Sequence, residues 1–228
     1  MSDLPVPLDD TLVETVETVG RHAYRLVGLQ SFEAAVDRLY GRIKGRATQR
    51  ELEDLSPMFG VIWGAARALA GRLDAAGTAL AGDSLVELGC GLALPSMVAA
   101  RHGARALATD QHVGTEALLR RNLEANGLSL AYRRFDWRGA APADLAGRFD
   151  RVVASDVLYD RELAPALAAA VEALLAPGGV AWVADPGRPW LDAFVTESER
   201  RGLRASVDVD RVERPGGPED AFVVVLRR

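Results

Sequence analysis

The chain has 228 residues, 49% of them hydrophobic, and a formal charge of −5 at neutral pH. That is enough material to enclose a substantial core, and the sign argues against a nucleic-acid or anionic-membrane surface as partner. The single cysteine, Cys90, excludes an internal disulfide and fits a reducing compartment, so a cytoplasmic location is expected.

The first 56 residues differ in character from the rest. Thr11 to Val19 alternates in strand fashion and ends at Gly20-Arg21, after which His22 to Val27 can return as the second strand of a hairpin. Ser31 is a suitable N-cap for a helix to Tyr40 that carries Phe32, Val36, Leu39 and Tyr40 on one face. The polar, charged stretch Gly41 to Asp54 reads as a link. Residues 1–56 are therefore expected to form an N-terminal extension and residues 57–228 the main domain. The acids Asp3, Asp9 and Asp10 interrupt any apolar core at the N-terminus, so no signal peptide is expected.

Ile62, Trp63, Ala66, Leu69 and Leu73 then mark an amphipathic helix. Beyond it strands and helices alternate. Strands are expected near Ser84–Leu88, Arg105–Thr109, Ala131–Phe135, Arg151–Ser155 and Val180–Ala184, with helices near Pro95–Arg101, Val113–Ala125, Leu163–Leu175 and Trp190–Arg201. Gly127, Gly178 and Gly202 stand where helix C-termini want a left-handed residue. Ala205–Val209 and Ala221–Leu226, joined through Pro215-Gly216-Gly217-Pro218, are too close in sequence to be parallel neighbours. This pattern predicts a Rossmann-like, doubly wound α/β fold: a seven-stranded, mostly parallel sheet whose last strand runs against the rest. The longest apolar runs are broken by Glu87, Pro95, Glu172 or Gly178-Gly179, so no membrane span is expected.

The segment Leu85 to Pro95 carries the most chemistry. It runs from an apolar strand through Glu87 into a turn with glycines at 89 and 91, then into a helical pattern. Such a turn brings backbone N–H groups close to a ligand, backed by the positive end of a helix. A dinucleotide fingerprint would need glycine at Leu94; the pattern here is acidic-x-Gly-x-Gly-x-small, with Ala93 in the last place. Asp110, Asp136-Trp137 and Ser155-Asp156 close the next three strands, so their carboxylates and that of Glu87 should gather on one edge of a parallel sheet, where open α/β sheets bind ligands. The alternative is that the glycines only make the turn and the aspartates only cap helices. Cys90 falls inside the turn, where a small side chain is needed, and reads as packing. His22, His102 and His112 have no metal-ligand spacing with it, so no metal site is expected.

Glu87 to Ala93 resembles the first motif of the class I S-adenosylmethionine-dependent methyltransferases, whose topology the strand order also matches. The resemblance implies S-adenosylmethionine as cofactor, with Asp110 accepting the ribose hydroxyls, Asp136 the adenine amine, Trp137 covering the ring, and Gly89 and Gly91 passing close to the methionine portion that Glu87 orients. On the acceptor side, Asp156-x-x-Tyr159 after Ser155 resembles the Asp/Glu-x-x-Tyr/Phe motif of the seven-strand protein lysine methyltransferases. Trp63 ahead of the first motif and the Asp136-Trp137 pair match the same family. Asp185-Pro186-Gly187-Arg188 resembles the loop of the members that methylate the β subunit of electron-transfer flavoprotein, and of their bacterial relatives.

The resemblance implies transfer of a methyl group to a lysine of a protein substrate, with Asp156 orienting the amine and Tyr159 forming a wall. A small-molecule amine as acceptor, or a non-catalytic module that binds the cofactor as a partner subunit, are the rival readings. Neither a nucleic acid nor a membrane is expected as partner.

Overall fold

A computed structural model of the chain describes residues 12–43, 45, 48–212 and 217–228. Strands β1 (Leu12–Val19) and β2 (His22–Leu29) form the expected hairpin, closing at the pair Val19↔His22 with Gly20 left-handed at φ 56°. Helix α1 (Phe32–Ile43) starts at Ser31, whose Oγ accepts the N–H of Ala34 at 3.1 Å. The expected link is not all irregular: α2 spans Gln49–Leu55. Its start is a reciprocal cap, in which Thr48 Oγ1 accepts the N–H of Glu51 while the Glu51 carboxylate accepts the N–H of Thr48. Polarity hid this helix, although Thr48-x-x-Glu51 is the signature that reveals it.

Helix α3 (Gly64–Ala76) begins one residue after Trp63, which is extended (φ −85°, ψ 160°) rather than helical as expected. The alternation then follows: β3 (Ser84–Leu88), α4 (Leu94–Arg101), β4 (Arg105–Asp110), α5 (Thr115–Asn126), β5 (Ala131–Arg134), β6 (Phe149–Ser155), α6 (Leu163–Leu174), β7 (Leu175–Asp185), α7 (Leu191–Arg200), β8 (Arg204–Val212) and β9 (Glu219–Arg227). The sheet order is β5-β4-β3-β6-β7-β9-β8, parallel up to β7, with β9 antiparallel to both β7 and β8. This is the Rossmann-like seven-stranded sheet the sequence predicts, with its hairpin and helix ahead of it. Gly127 and Gly202 are left-handed just beyond α5 and α7, but Gly178 lies within β7, because α6 ends at Leu174 and the chain turns extended at Leu175. Half of the loop Pro215 to Pro218, its first two residues, lies outside the described residues.

The central strands β3, β6 and β9 are buried on both faces along most of their length, and their period of two sorts the core. Val86, Val152, Ala154 and Val224 face α6 and α7, where Leu167, Val171 and Phe194 cover them. Leu85, Val153, Val223 and Val225 face the other way, against Leu69 and Leu73 of α3 and Leu94 and Met97 of α4. Tyr24 and Leu26 of the hairpin join this second cluster, so the extension and the sheet share one core. The open edge of β2 is met by α5. Asn122 Oδ1 accepts the N–H of Val27 at 2.7 Å, and Asn126 bonds both the N–H and the carbonyl of Arg25 at 2.9 and 2.7 Å. Two asparagines one helical turn apart thus act as a substitute strand.

Candidate active site

The cleft opens at the C-terminal ends of β3, β4, β5 and β6, where the order of the parallel strands reverses between β3 and β6. It is lined by Gly89 and Gly91, Asp110 and His112, Asp136 to Arg138, Ser155 to Val157, Tyr159 and Arg188. Phe32, Asp54, Ser56, Met58, Phe59 and residues 61–63, Trp63 included, complete the lining. The structure therefore brings together every expected site residue except Glu87.

In the turn after β3, Gly89, Gly91 and Ala93 are all left-handed, at φ 67°, 51° and 59°. For an alanine this costs roughly 1–2 kcal/mol, and Ala93 is held by the bonds of its N–H to Cys90 and of its carbonyl to Met97 in α4. Neither glycine could gain a side chain freely: a Cβ on Gly89 would stand 2.8 Å from Val157 and one on Gly91 3.2 Å from the Phe59 carbonyl. Glu87 points under the turn. It follows Leu85 on the face that α4 covers, so its carboxylate is 1% exposed and accepts both the N–H and the hydroxyl of Ser96. Burial pushes it up to about 8, against the pull of Ser96. Cys90 is buried beside these acids, and desolvation raises its thiol well above the usual value, which leaves it a poor nucleophile.

Asp110 ends β4 with 7% exposure. One oxygen accepts the Gly91 N–H at 3.0 Å and the other the His112 N–H at 2.8 Å, so each keeps a lone pair for a ligand. Burial raises its pKa and these two N–H groups oppose the rise. His112 stacks on Phe59 with centroids 4.2 Å apart, and its Nδ1 accepts from Gly114, which leaves Nε2 to donate to the Leu55 carbonyl. Desolvation lowers the pKa of His112, keeping the ring neutral. Asp136 is engaged by Arg138, whose Nε and Nη2 reach its two oxygens at 2.8 Å each, while Nη1 continues to Asp54 of α2 at 2.8 Å. Trp137 is 7% exposed and packs in the core beside Gly89. Across the cleft, Trp63 meets Phe32 edge-on at 5.5 Å and its indole N–H donates to the Met58 carbonyl at 3.0 Å.

On the acceptor side, Ser155 is 8% exposed and Asp156, like Ala93, is a non-glycine residue with positive φ, at 60°. Its N–H donates to Ala184 of β7 at 3.0 Å, which holds this unusual turn at the end of β6. Its Oδ2 accepts the N–H of Ala65 in the first turn of α3 at 2.9 Å, and its Oδ1 accepts Arg188 Nη2 at 3.0 Å. Burial raises the Asp156 pKa, with Arg188 opposing. Tyr159 stands 43% exposed at the mouth. Sequence reasoning missed the ties of Arg138 and Arg188 to these aspartates, and the roof made by α2 and Phe59. Only the adjacency of Arg138 to Asp136-Trp137 hinted at the first.

Among solved structures, the T. thermophilus 16S rRNA N2 G1207 methyltransferase in complex with AdoMet and guanosine has a TM-score of 0.61 at 19% identity, covering 97% of this chain and 52% of that one. The Synechocystis PCC 6803 magnesium protoporphyrin IX methyltransferase with bound SAM has a TM-score of 0.58 at 15% identity, covering 86% and 92%. These likenesses are of fold. In sequence, the chain is 35% identical over 104 residues to the protein N-lysine methyltransferase METTL21A of Mus musculus, covering 43% of this chain and 47% of that protein. It is 32% identical over 111 residues to the Xenopus tropicalis protein of the same name, covering 47% and 51%. The chain thus spans about half the length of the curated relatives it matches. The lysine methyltransferase family model matches residues 49–189, from the first residue of α2 to just past Arg188, a stretch that holds the whole cleft except Phe32. The chain belongs to the lysine methyltransferase family.

Proposed function

We propose that this protein is an S-adenosylmethionine-dependent N-methyltransferase acting on a lysine side chain of a protein. One observation carries the reading: Asp156, a buried carboxylate on a left-handed strand end, opens on the same cleft as the Gly89–Gly91 turn and Asp110, with Tyr159 beside it.

The family's methyl donor is S-adenosylmethionine, which when bound supplies a methyl group on a positively charged sulfur. The donor set suits such a ligand. Asp110 retains accepting capacity on both oxygens for a pair of ribose hydroxyls. Trp137 supplies a flat face for adenine, and Asp136, anchored by Arg138, an acceptor for its amine. Gly89 and Gly91 serve the methionine portion, and Glu87 works from beneath by fixing Ser96 and the start of α4. Ser155 lies between the donor and acceptor sides, and Trp63 with Phe32 closes the wall opposite.

The chain's own task is alignment and exclusion of water, a contribution of roughly 7–11 kcal/mol in well-oriented reactions. A lysine must be neutral to attack, from an unperturbed pKa of ~10.4, so its proton leaves to water before transfer. Asp156 accepts an N–H of the amine and orients its lone pair, and Tyr159 packs against the aliphatic stem. Asp185-Pro186-Gly187-Arg188 supports an acceptor related to the β subunit of electron-transfer flavoprotein. The single cysteine supports work in the reducing cytoplasm, and the likeness of the Asp185–Arg188 loop to that of bacterial relatives supports a bacterial source. The unit that carries the site reaches back to α2, where the family match begins. Tritiated cofactor added with the protein to a lysate tests the reading. Label on a protein, at lysine, is the expected outcome; label on a small molecule, or none, overturns it.

A further inference from the structure

The acceptor side holds one more charged group than this reading uses. Arg188 follows β7, and its guanidinium forks between two acids: Nη2 donates to Asp156 at 3.0 Å and Nη1 to Asp185 at 2.8 Å. Asp185 is fully buried, and its Oδ1 also accepts the N–H groups of Gly187 and Arg188 at 2.9 and 2.6 Å. The side chains of Asp156 and Asp185 are 7% and 1% exposed against 27% for Arg188, and it is Asp156 and Arg188 that line the cleft while Asp185 stands behind them.

We propose that Arg188 is a positioning residue of the acceptor site: it keeps Asp156 ionised and aimed into the cleft, and offsets its charge so that the amine docks without being locked as an ammonium. The inference rests on the lysine-methyltransferase reading. A bare carboxylate beside the acceptor would favour the charged, unreactive amine. Asp156 follows β6 and Asp185 ends β7, neighbouring strands paired at Ser155↔Ala184, so two buried like charges face each other across the cation. Arg188 answers both problems, and the planar fork lets one side chain hold both acids. The other charged groups are matched elsewhere or stand on other walls. Arg138 is bound by Asp136 and Asp54, Asp110 and the neutral His112 lie on the cofactor side, Glu219 meets α3 at Gly64, and Tyr159 shares the Asp156 loop. The N-terminus of α3 adds a partial positive charge through Ala65.

The test has two arms. In the cofactor-free protein, the Asp156 carboxyl is titrated by carbon NMR, assigned with Asp156→Asn, in wild type, Arg188→Gln and Arg188→Lys. The midpoint should rise by about 1–3 units in the glutamine variant and return most of the way in the lysine variant; an unmoved midpoint overturns the proposal. In the second arm, methyl transfer to the labelled lysate protein is followed against pH. The acid limb should move upward in Arg188→Gln, because both the amine and Asp156 then hold protons to higher pH, while cofactor affinity by calorimetry stays within about threefold. A lowered kcat with an unmoved limb would make Arg188 a loop tie and overturn its acceptor role. Should Arg188→Gln fail to fold, Arg188→Lys decides by the titration: a side chain that cannot fork should leave the Asp156 midpoint measurably above wild type, and a midpoint equal to wild type overturns the proposal. If the wild type labels no protein, the functional reading and the acceptor role fall together, and the titration still judges the hold on Asp156.

Discussion

The Asp110 carboxylate accepts the backbone N–H of Gly91 at 3.0 Å, so a side chain at the end of β4 fixes the turn at the end of β3. Removing it acts twice, on the ligand and on the loop that meets the ligand. Asp110→Ala should weaken S-adenosylmethionine binding on the order of tenfold to a hundredfold, the loss of a charge-assisted hydrogen bond of about 1.5–3 kcal/mol. Calorimetry on both proteins checks this, and equal affinity would remove Asp110 from the cofactor site.

Asp156 separates differently. Asp156→Ala should leave cofactor affinity nearly intact and abolish most methyl transfer, because an unanchored amine samples many misaligned geometries. It should also cost about 1–3 kcal/mol of stability, since the Ala65 N–H and Arg188 lose their acceptor. Asp156→Asn keeps an acceptor for Ala65 and should recover stability before it recovers turnover. Denaturant melts run beside tritium-transfer assays resolve the two effects.

Glu87 sets a pH dependence of opposite sign to that of most carboxylates. Its folded pKa is raised to about 8 by burial, above its ordinary value of 4.5, so the folded state holds a proton that the unfolded chain has released between those values. Its contribution is fully present below the lower value and is lost as pH rises to the upper one, at up to about 1.4 kcal/mol per unit. Thermal melts of Glu87→Gln should lack this decline and exceed wild type above pH 8. Parallel curves for the two proteins would show that Glu87 is ionised throughout.

The asparagines on α5 carry a load that their polarity conceals. Asn122 is fully buried and gives the Val27 N–H its acceptor. Asn122→Ala should cost about 1–3 kcal/mol in urea unfolding, the desolvation penalty of a stranded donor. Asn126→Ala, at a half-buried position where water can substitute, should cost less.

Periodicity and punctuation made most of the architecture legible. The strand positions, the reversed last strand and the hairpin turn at Gly20 follow from alternation, glycine placement and loop length. The convergence of Asp110, Asp136 and Asp156 on one edge follows from parallel strands ending together. Glu87 departs from that edge because two residues earlier Leu85 already faces α4, and the period of two carries Glu87 the same way. The ties to Asp54 and Asp156 were invisible for another reason: Arg138 reaches back to Asp54, and Arg188 to Asp156, across distances in sequence that no local pattern encodes. Ala93 shows the limit most plainly, since its residue type argues against the left-handed backbone that the turn imposes.

The shared core has a practical side. Residues 49–189 carry nearly all of the cleft, yet a recombinant fragment trimmed to them would lose Tyr24 and Leu26, baring the greasy flank of α3. It would also strip β9 from β7, turning an interior strand of Trp182, Val183 and Ala184 into a naked sheet border. Such a fragment should leave expression in inclusion bodies, stuck to copies of itself through that border.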